Sequence, residues 1–419
     1  MAEDKLFAGI DIGSTAIRIA VGHRLASGER GERPQIQIVG AAEVPSEGVS
    51  RGVINSIEDA VSSVSACLEK VERMSGLPIE SAWVAISGAN AITQQSRGVI
   101  GVAKADGEIR EDDIERAVEQ ARTVAAPINY EILHVIPRTF TVDGQAGIKD
   151  PLGMNGIRLE VDTQIIHGLT AHVKNVTKCV YRTGVNLDRL VLGVLACAEA
   201  VTTPRQRDLG SAVVNIGGAT TTVVVHEQGD ILHAASIPLG SEHITADIAI
   251  GLRTNIDVAE RVKIQFGSAN AQGLNRKEVI DLKELGAPDG ELVSLKYVAE
   301  IIQARVEEIL EKVDKELKKA ERSGMLPAGA IMTGGGAKLP GITDAAKRIL
   351  RLPASLGYPV GVTSITDRVN DLSFTTAIGL VQWGINETPA DARRTGGFLA
   401  GLKPVGKAVA GFRKWFGMG

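Results

Sequence analysis

Aromatic residues make up only 3% of this chain, and three tryptophans, four tyrosines and seven phenylalanines are too few to line a groove on which bases stack. Charge of one sign is short as well: 46 basic against 50 acidic residues leave a net charge of −4, with no global pull toward phosphate backbones. Nucleic acid is therefore not expected as a partner. Cysteine is scarce, and Cys67, Cys179 and Cys197 sit apart in apolar or helical contexts, which predicts a reducing compartment rather than a disulfide framework. No cysteine lies close to another and the seven histidines include no His-x-x-x-His pair, so a structural zinc site is not expected. No run approaches the roughly 18 unbroken apolar residues of a spanning helix, and the polar start from Met1 to Lys5 lacks the basic opening of a secretory peptide. The expectation is an internal protein whose membrane contact, if any, is peripheral.

What is present is ordinary for a folded protein, 44% hydrophobic and 23% charged, over 419 residues, a length that calls for more than one domain. Short β-rich runs alternate with helical patterns: Leu6–Ile10, Ala16–Val21 and Gln35–Val44 read as strands and Ser56–Met74 as a helix. The cycle begins again at Ser211–Ile216, Thr221–His226 and Ile231–Pro238. Ala8-Gly-Ile-Asp11-Ile-Gly13 is matched by Ala212-Val-Val-Asn215-Ile-Gly217, which predicts duplicated units facing each other across a cleft. Between Ala82 and His167 lies a segment with its own balance of elements: strands at Val84–Ile86, Gly98–Val102, Tyr130–Val142 and Arg158–Ile166, a helix at Glu111–Val124, and a connecting loop at Asp143–Gly156. Lys296–Ser323 keeps Val298, Ile301, Ile302, Ile309, Val313 and Leu317 at helical spacing, an amphipathic surface helix with a solvated charged face.

Three glycine-bearing turns can hold a ligand. Asp11-Ile-Gly13-Ser14-Thr15 offers backbone N–H groups and hydroxyls at a reversal with no bulky side chain, and Asn215-Ile-Gly217-Gly218-Ala219-Thr220 offers a similar cradle from the second half. Facing cradles would clamp a polyphosphate. The third, Thr333-Gly334-Gly335-Gly336-Ala337-Lys338, leaves a strand through bare chain suited to a flat group and enters a helix near Pro340. Any one of the three is explained equally well by ordinary turns; their order carries the weight.

That order resembles the actin-like ATPases: two phosphate loops, then an adenosine loop of glycines. Within that superfamily the chain is most similar to the FtsA family of bacterial cell-division proteins, over nearly its whole length. Ile237-Pro-Leu-Gly240-Ser-Glu-His243 and the helix Asp257-Val-Ala-Glu260-Arg-Val-Lys263 add to the match. The resemblance implies an α/β, two-lobed, duplicated ribonuclease H-like fold with an FtsA-type small subdomain inserted at 82–167. It assigns 1–81, about 168–200 and 366–385 to the first core, 201–241 and 324–365 to the second, and 242–323 to a second-lobe subdomain. It implies ATP and Mg²⁺ as ligands. Gly13, Ser14, Thr15, Gly217, Gly218, Ala219 and Thr220 would hold phosphate, and Gly240, in the segment that precedes the adenosine contacts in the family, joins the site. Glu260 and Lys263 would reach the ribose or base, Gly335 and Gly336 would flank the adenine with Gly334 and Lys338 of the same loop also at the site, and Asp11 would hold the metal through water. Two other readings stay open: Asp257 and Glu260 have capping-box spacing, and Lys263 could be an ion-pair partner. Two departures predict binding with slow or absent hydrolysis. The second loop has Asn215 where relatives carry an acid, and the first has Ala16 where many carry lysine.

After Trp383 a polar stretch, 386–402, reads as a linker, and 403–419 as a short amphipathic helix. Val405, Val409, Phe412 and Phe416 share one face with Trp415 beside them, and Lys407, Arg413 and Lys414 supply basicity, a pattern suited to an anionic membrane surface. The FtsA resemblance implies the rest: a peripheral protein on the cytoplasmic side of the inner membrane at the septum, self-associating, bound to FtsZ and to other division proteins. Rivals on the same fold are a PilM-like pilus-assembly adaptor and a small-molecule kinase; the basic tail argues against the first and the lack of a catalytic carboxylate in the second loop against the other.

Overall fold

The computed structural model describes residues 5–25, 35–86, 91–103, 106–275, 277–288, 291–364 and 366–388. The tail residues from Val405 to Phe416 and nearly all of the expected linker lie outside them. The chain opens with β1 (Leu6–Ile12), β2 (Ala16–Arg24), β3 (Ile36–Pro45), the short pair β4 (Val49–Ser50) and β5 (Val53–Ile54), α1 (Ile57–Ser75) and β6 (Ser81–Ile86). An inserted unit follows: β7 (Ile92–Gly101), α2 (Glu111–Arg122), β8 (Tyr130–Val142), β9 (Gln145–Ile148) and β10 (Arg158–Leu169). Then come α3 (Thr170–Arg182), β11 (Asn186–Leu192) and α4 (Gly193–Val201). The second half runs through α5 (Pro204–Leu209), β12 (Ser211–Ile216), β13 (Thr221–Glu227), β14 (Asp230–Ile237), α6 (Ser241–Gly251), α7 (Ile256–Phe266), β15 (Val279–Asp281), β16 (Leu292–Ser294) and α8 (Leu295–Lys319). It closes with β17 (Ala330–Thr333), α9 (Ile342–Leu350) and β18 (Ala354–Leu356), after which β19 (Val362–Ser364) and α10 (Thr375–Glu387) return to the first half.

The duplication is visible in hydrogen bonding. The first sheet has the order β11-β6-β1-β2-β3-β19 and the second β18-β17-β12-β13-β14, so five strands correspond one to one. In each half the first hairpin is antiparallel and its opening strand pairs in parallel with a strand on its other side. The near-continuous apolar runs of β1 and β12 fit that central place, because each strand is covered on both faces. One core packs α1 and α3 on the first sheet, another packs α10 on its opposite face, and the largest gathers α6, α7, α8 and α9 around the second sheet.

Several expected boundaries move. β6, expected within the insert, pairs with β1 and β11, so its residues belong to the first sheet. β19, expected in the second core, pairs in parallel with β3. The loop expected at Asp143–Gly156 contains β9, which folds back on β8 through Asp143 and Gly144, both at positive φ as a tight hairpin turn requires. α8 ends at Lys319 rather than Ser323, and α10 runs through Glu387 because Trp383 and Arg189 both bind the Glu387 carboxylate.

The insert is a four-stranded antiparallel sheet, β7-β10-β8-β9, with α2 on one face. Its Ile136 and Ile166 share a core with Leu192 and Val194 of the first half and with Val224, Ile231 and Ala234 of the second. Lys149 also reaches the buried Asp230 at 2.7 Å. In the same seam the His134 imidazole accepts a hydrogen bond from the Leu192 amide, and burial, aided by Arg189, pushes its pKa down to about 3. Among the described residues no helix is long and apolar enough to cross a membrane.

Candidate functional site in the cleft between the halves

A cavity of about 490 Å³, within the range of small-molecule sites, opens where the two sheets face each other. Fifteen of the sixteen predicted positions line it: Asp11, Gly13, Ser14, Thr15, Asn215, Gly217, Gly218, Ala219, Thr220, Glu260, Lys263, Gly334, Gly335, Gly336 and Lys338. Gly240 does not. It supports the wall from behind, where a Cβ would stand 2.3 Å from the Gly218 carbonyl oxygen. That closeness lets the amides of Ser241 and Glu242 donate to the carbonyls of Gly217 and Gly218, at 2.9 and 2.8 Å.

In the first turn, Ser14 Oγ accepts from the Gly52 amide at 2.8 Å and Thr15 Oγ1 donates to Glu242 Oε1 at 2.8 Å. Asp11, paired across the hairpin with Arg18, is partly buried. Burial raises its pKa to about 6, against the pull of Arg18. In the second turn, Asn215 sits at the matching register, opposite Thr222 and beside Thr333. Its Nδ2 donates to Thr376 Oγ1 at 3.4 Å.

The third loop enters a short 3₁₀ turn at Gly335–Lys338, and the following helix begins at Ile342, two residues beyond Pro340. Gly334 has φ +85°, and a Cβ there would lie 2.2 Å from Asn215 Oδ1, so only glycine lets this loop cross the second turn. On the facing wall Asn255, not Asp257, caps α7, so the capping-box reading of Glu260 fails. Glu260 and Lys263 do pair, at 2.6 Å, and both bond Thr245 while lining the cavity. The ion-pair and cleft-wall readings therefore hold together.

The structure adds residues that sequence spacing did not single out. Gly193 and Val194 open α4, Thr376 lies in the first turn of α10, and both helix N-termini bring their positive ends to the cavity. Ser241, Ile264, Leu339, Pro340 and Ser373 complete parts of the wall. The lining cations are already engaged: Arg18 with Glu43, Lys263 with Glu260 and Lys338 with Asp371. Asp371 is held below the usual carboxylate range: burial raises it, and hydrogen bonds from Lys338 and Ser373 outweigh burial. Ala16, where a lysine was missed, is buried in the core at the start of β2. Among the described residues no three His, Cys, Asp or Glu side chains form a metal cage.

The family model described as cell division protein FtsA matches residues 212–379, and the one described as the SHS2 domain inserted in FtsA matches residues 88–167. The cell division protein FtsA of Pseudomonas aeruginosa is 33% identical over 383 residues, 91% of this chain and 90% of that protein. The chain belongs to the FtsA family. The FtsA of Bacillus subtilis is 34% identical over 396 residues, covering 94% of this chain and 87% of the relative. The matched insert, starting just after β6, agrees with the unit that the sheet topology separates from the first lobe.

Among solved structures, one from the PilM–PilN type IV pilus biogenesis complex aligns with a TM-score of 0.64 at 16% identity, over 91% of this chain and 99% of that one. MreB5 of Spiroplasma citri bound to ADP aligns with a TM-score of 0.52 at 14% identity, over 90% and 94%. These likenesses show the actin-like ATPase fold that the sequence led us to expect. The PilM likeness goes no further than fold, whereas the sequence relatives are FtsA proteins.

Proposed function

We propose that this FtsA-family chain binds ATP in the interlobe cleft, self-associates, and tethers FtsZ filaments to the cytoplasmic face of the inner membrane at the division septum. The observation that carries the nucleotide part is the convergence of two matched hairpin turns, a bare glycine loop and two helix N-termini on one cavity. The turns would receive the phosphates, Glu260 and Lys263 the ribose or base, and Gly335, which lines the cavity and where an added Cβ would touch only Ser373 Cβ at 4.0 Å, one side of the adenine.

Mg²⁺ fits this donor set. Asp11 lines the cavity without a side-chain ion pair among the described residues, and a hard cation takes one carboxylate together with water and phosphate oxygens. Bound there, the metal would neutralise phosphate charge beyond what Arg18, Lys263 and Lys338 offer, since each of these already serves a carboxylate. Asn215 offers no second charge, and its amide is tied to Thr376. Slow or absent hydrolysis follows, because placing water and charge is most of what such a site contributes to phosphoryl transfer.

The membrane part rests on the amphipathic pattern of 403–419, and the FtsZ part on the family. Co-sedimentation of the full chain with liposomes, with and without FtsZ, tests both. The full chain is expected to pellet with anionic lipid and to carry FtsZ with it, and a Trp415→Ala/Phe416→Ala variant to stay in the supernatant. Equal pelleting of the two would refute the tether. A wild-type chain that binds lipid and leaves FtsZ behind would refute the adaptor role.

A further inference from the structure

Glu242 touches both turns at once. Its backbone amide donates to the Gly218 carbonyl and its carboxylate accepts from the Thr15 hydroxyl, each at 2.8 Å, joining residues 227 positions apart in the chain. The fit is tight: a Cβ on Gly218 would lie 2.1 Å from Thr15 Oγ1 and 2.6 Å from Glu242 Oε1. A carboxylate oxygen therefore stands at the seam where two anion-receiving turns meet. Among the described residues Glu242 makes no ion pair, and the lining cations are committed to Glu43, Glu260 and Asp371.

The geometry points to Glu242 as a charge gate that sets how strongly the cleft discriminates between nucleoside diphosphate and triphosphate. This inference rests on the nucleotide reading above. On that reading, a ligand that runs from the glycine loop and Glu260 toward the turns would bring its outermost phosphate to Thr15, which lines the cavity and whose hydroxyl Glu242 holds from just beside the lining. A diphosphate, one phosphoryl group shorter, would stop before that point. The triphosphate alone has to displace the clasp and face the carboxylate. Thr15 is the other half of the device, because its hydroxyl can donate to Glu242 or to an incoming phosphate oxygen, but not to both. Because Glu242 is exposed, water and salt screen the repulsion, and the effect should be that of one charge pair near a surface rather than a barrier to binding.

The test is calorimetric titration of the full chain with ATP, ADP and AMP, each in excess Mg²⁺, for wild type, Glu242→Gln and Glu242→Asp, with thermal melts to verify that each variant folds. Glu242→Gln keeps an acceptor for Thr15 and removes the charge. It is expected to tighten ATP by about five-fold while moving ADP and AMP by less than about two-fold, and the gain should shrink as salt is raised. Glu242→Asp keeps the charge on a side chain one methylene shorter and is expected to retain the wild-type ratio of ATP to ADP affinity. Equal shifts for ATP and ADP in Glu242→Gln, or an aspartate variant that matches the glutamine variant, would overturn the gate and leave the nucleotide reading standing. A wild-type chain that binds neither ATP nor ADP would bring both down.

Discussion

Asp11 and Asn215 occupy the same place in the two halves, one residue before the end of the first strand of a hairpin, yet their surroundings differ. The first turn is held largely by side chains, beside one backbone bond from the Ser46 amide to the Thr15 carbonyl: Ser14 receives the Gly52 amide and Thr15 reaches Glu242, while Asp11, opposite Arg18, makes no ion pair among the described residues. The second turn is held by backbone: α6 donates two amides to its carbonyls, Gly240 packs against it, and Gly334 crosses over Asn215. The strand geometry is the same in the two halves, while the ionisable group stands in one of them only. The half with the free carboxylate is suited to recruit a cation, and the half with the amide to serve as a rigid wall.

The largest effect is expected from breaking the wall. Gly240→Ala places a methyl against two carbonyls of the second turn, and overpacking of this kind costs about 1–3 kcal/mol. A lowered melting temperature and loss of nucleotide binding are the expected readouts; unchanged binding would show that the backbone support is dispensable.

Asp11→Asn makes the two turns alike. It is expected to abolish most of the Mg²⁺-dependent part of nucleotide affinity, measured by titration with and without the metal. The pH dependence has a definite sign. The folded-state pKa of Asp11, about 6, lies above the ordinary carboxylate value, so the fold favours the protonated form. Ionisation in the folded state costs stability as pH rises from about 4 to 6, and that cost persists above 6. Wild type should therefore gain metal-dependent affinity as pH rises through 6, and the asparagine variant should be flat. Without ligand, the variant should also melt higher than wild type above pH 6, a group kept for function at the expense of stability.

Asn215→Asp is the opposite move. It adds a second carboxylate to the cavity wall, and the expected outcome is lower stability without metal and a steeper Mg²⁺ dependence, both smaller than the effects at Asp11. Smallest is Ser14→Ala, which leaves the Gly52 amide without its partner and should cost about 1 kcal/mol in a denaturant titration. A cost at Ser14 equal to that at Gly240 would remove the distinction between the two kinds of support.

Much of this arrangement was legible in the sequence where local rules act. β12 spans Ser211–Ile216 and β8 spans Tyr130–Val142, as their apolar patterns predict, and the matched Asp11 and Asn215 turns fall at the same register. The strand β9 is hidden in the sequence although Asp143-Gly144 carries a hairpin signal, because the polar residues around it read as loop. The cap of α7 went to Asn255 because the helix begins one residue before Asp257, a shift that spacing alone does not resolve. The units of β6 and β19 are not legible for a different reason: which sheet a short apolar strand joins depends on pairing with residues far away in the chain.

By itself the sequence determined the duplicated strand–turn–strand units, the three glycine loops, the inserted unit and the family, because period, turn chemistry and motif order are properties of neighbouring residues. Only the tertiary structure decided that Thr15 meets Glu242, that Arg18, Lys263 and Lys338 are committed to carboxylates, and that Gly240 supports the cavity from outside its wall. Those facts depend on how two lobes close over one cleft, and contacts between residues hundreds of positions apart leave no periodic trace in the chain.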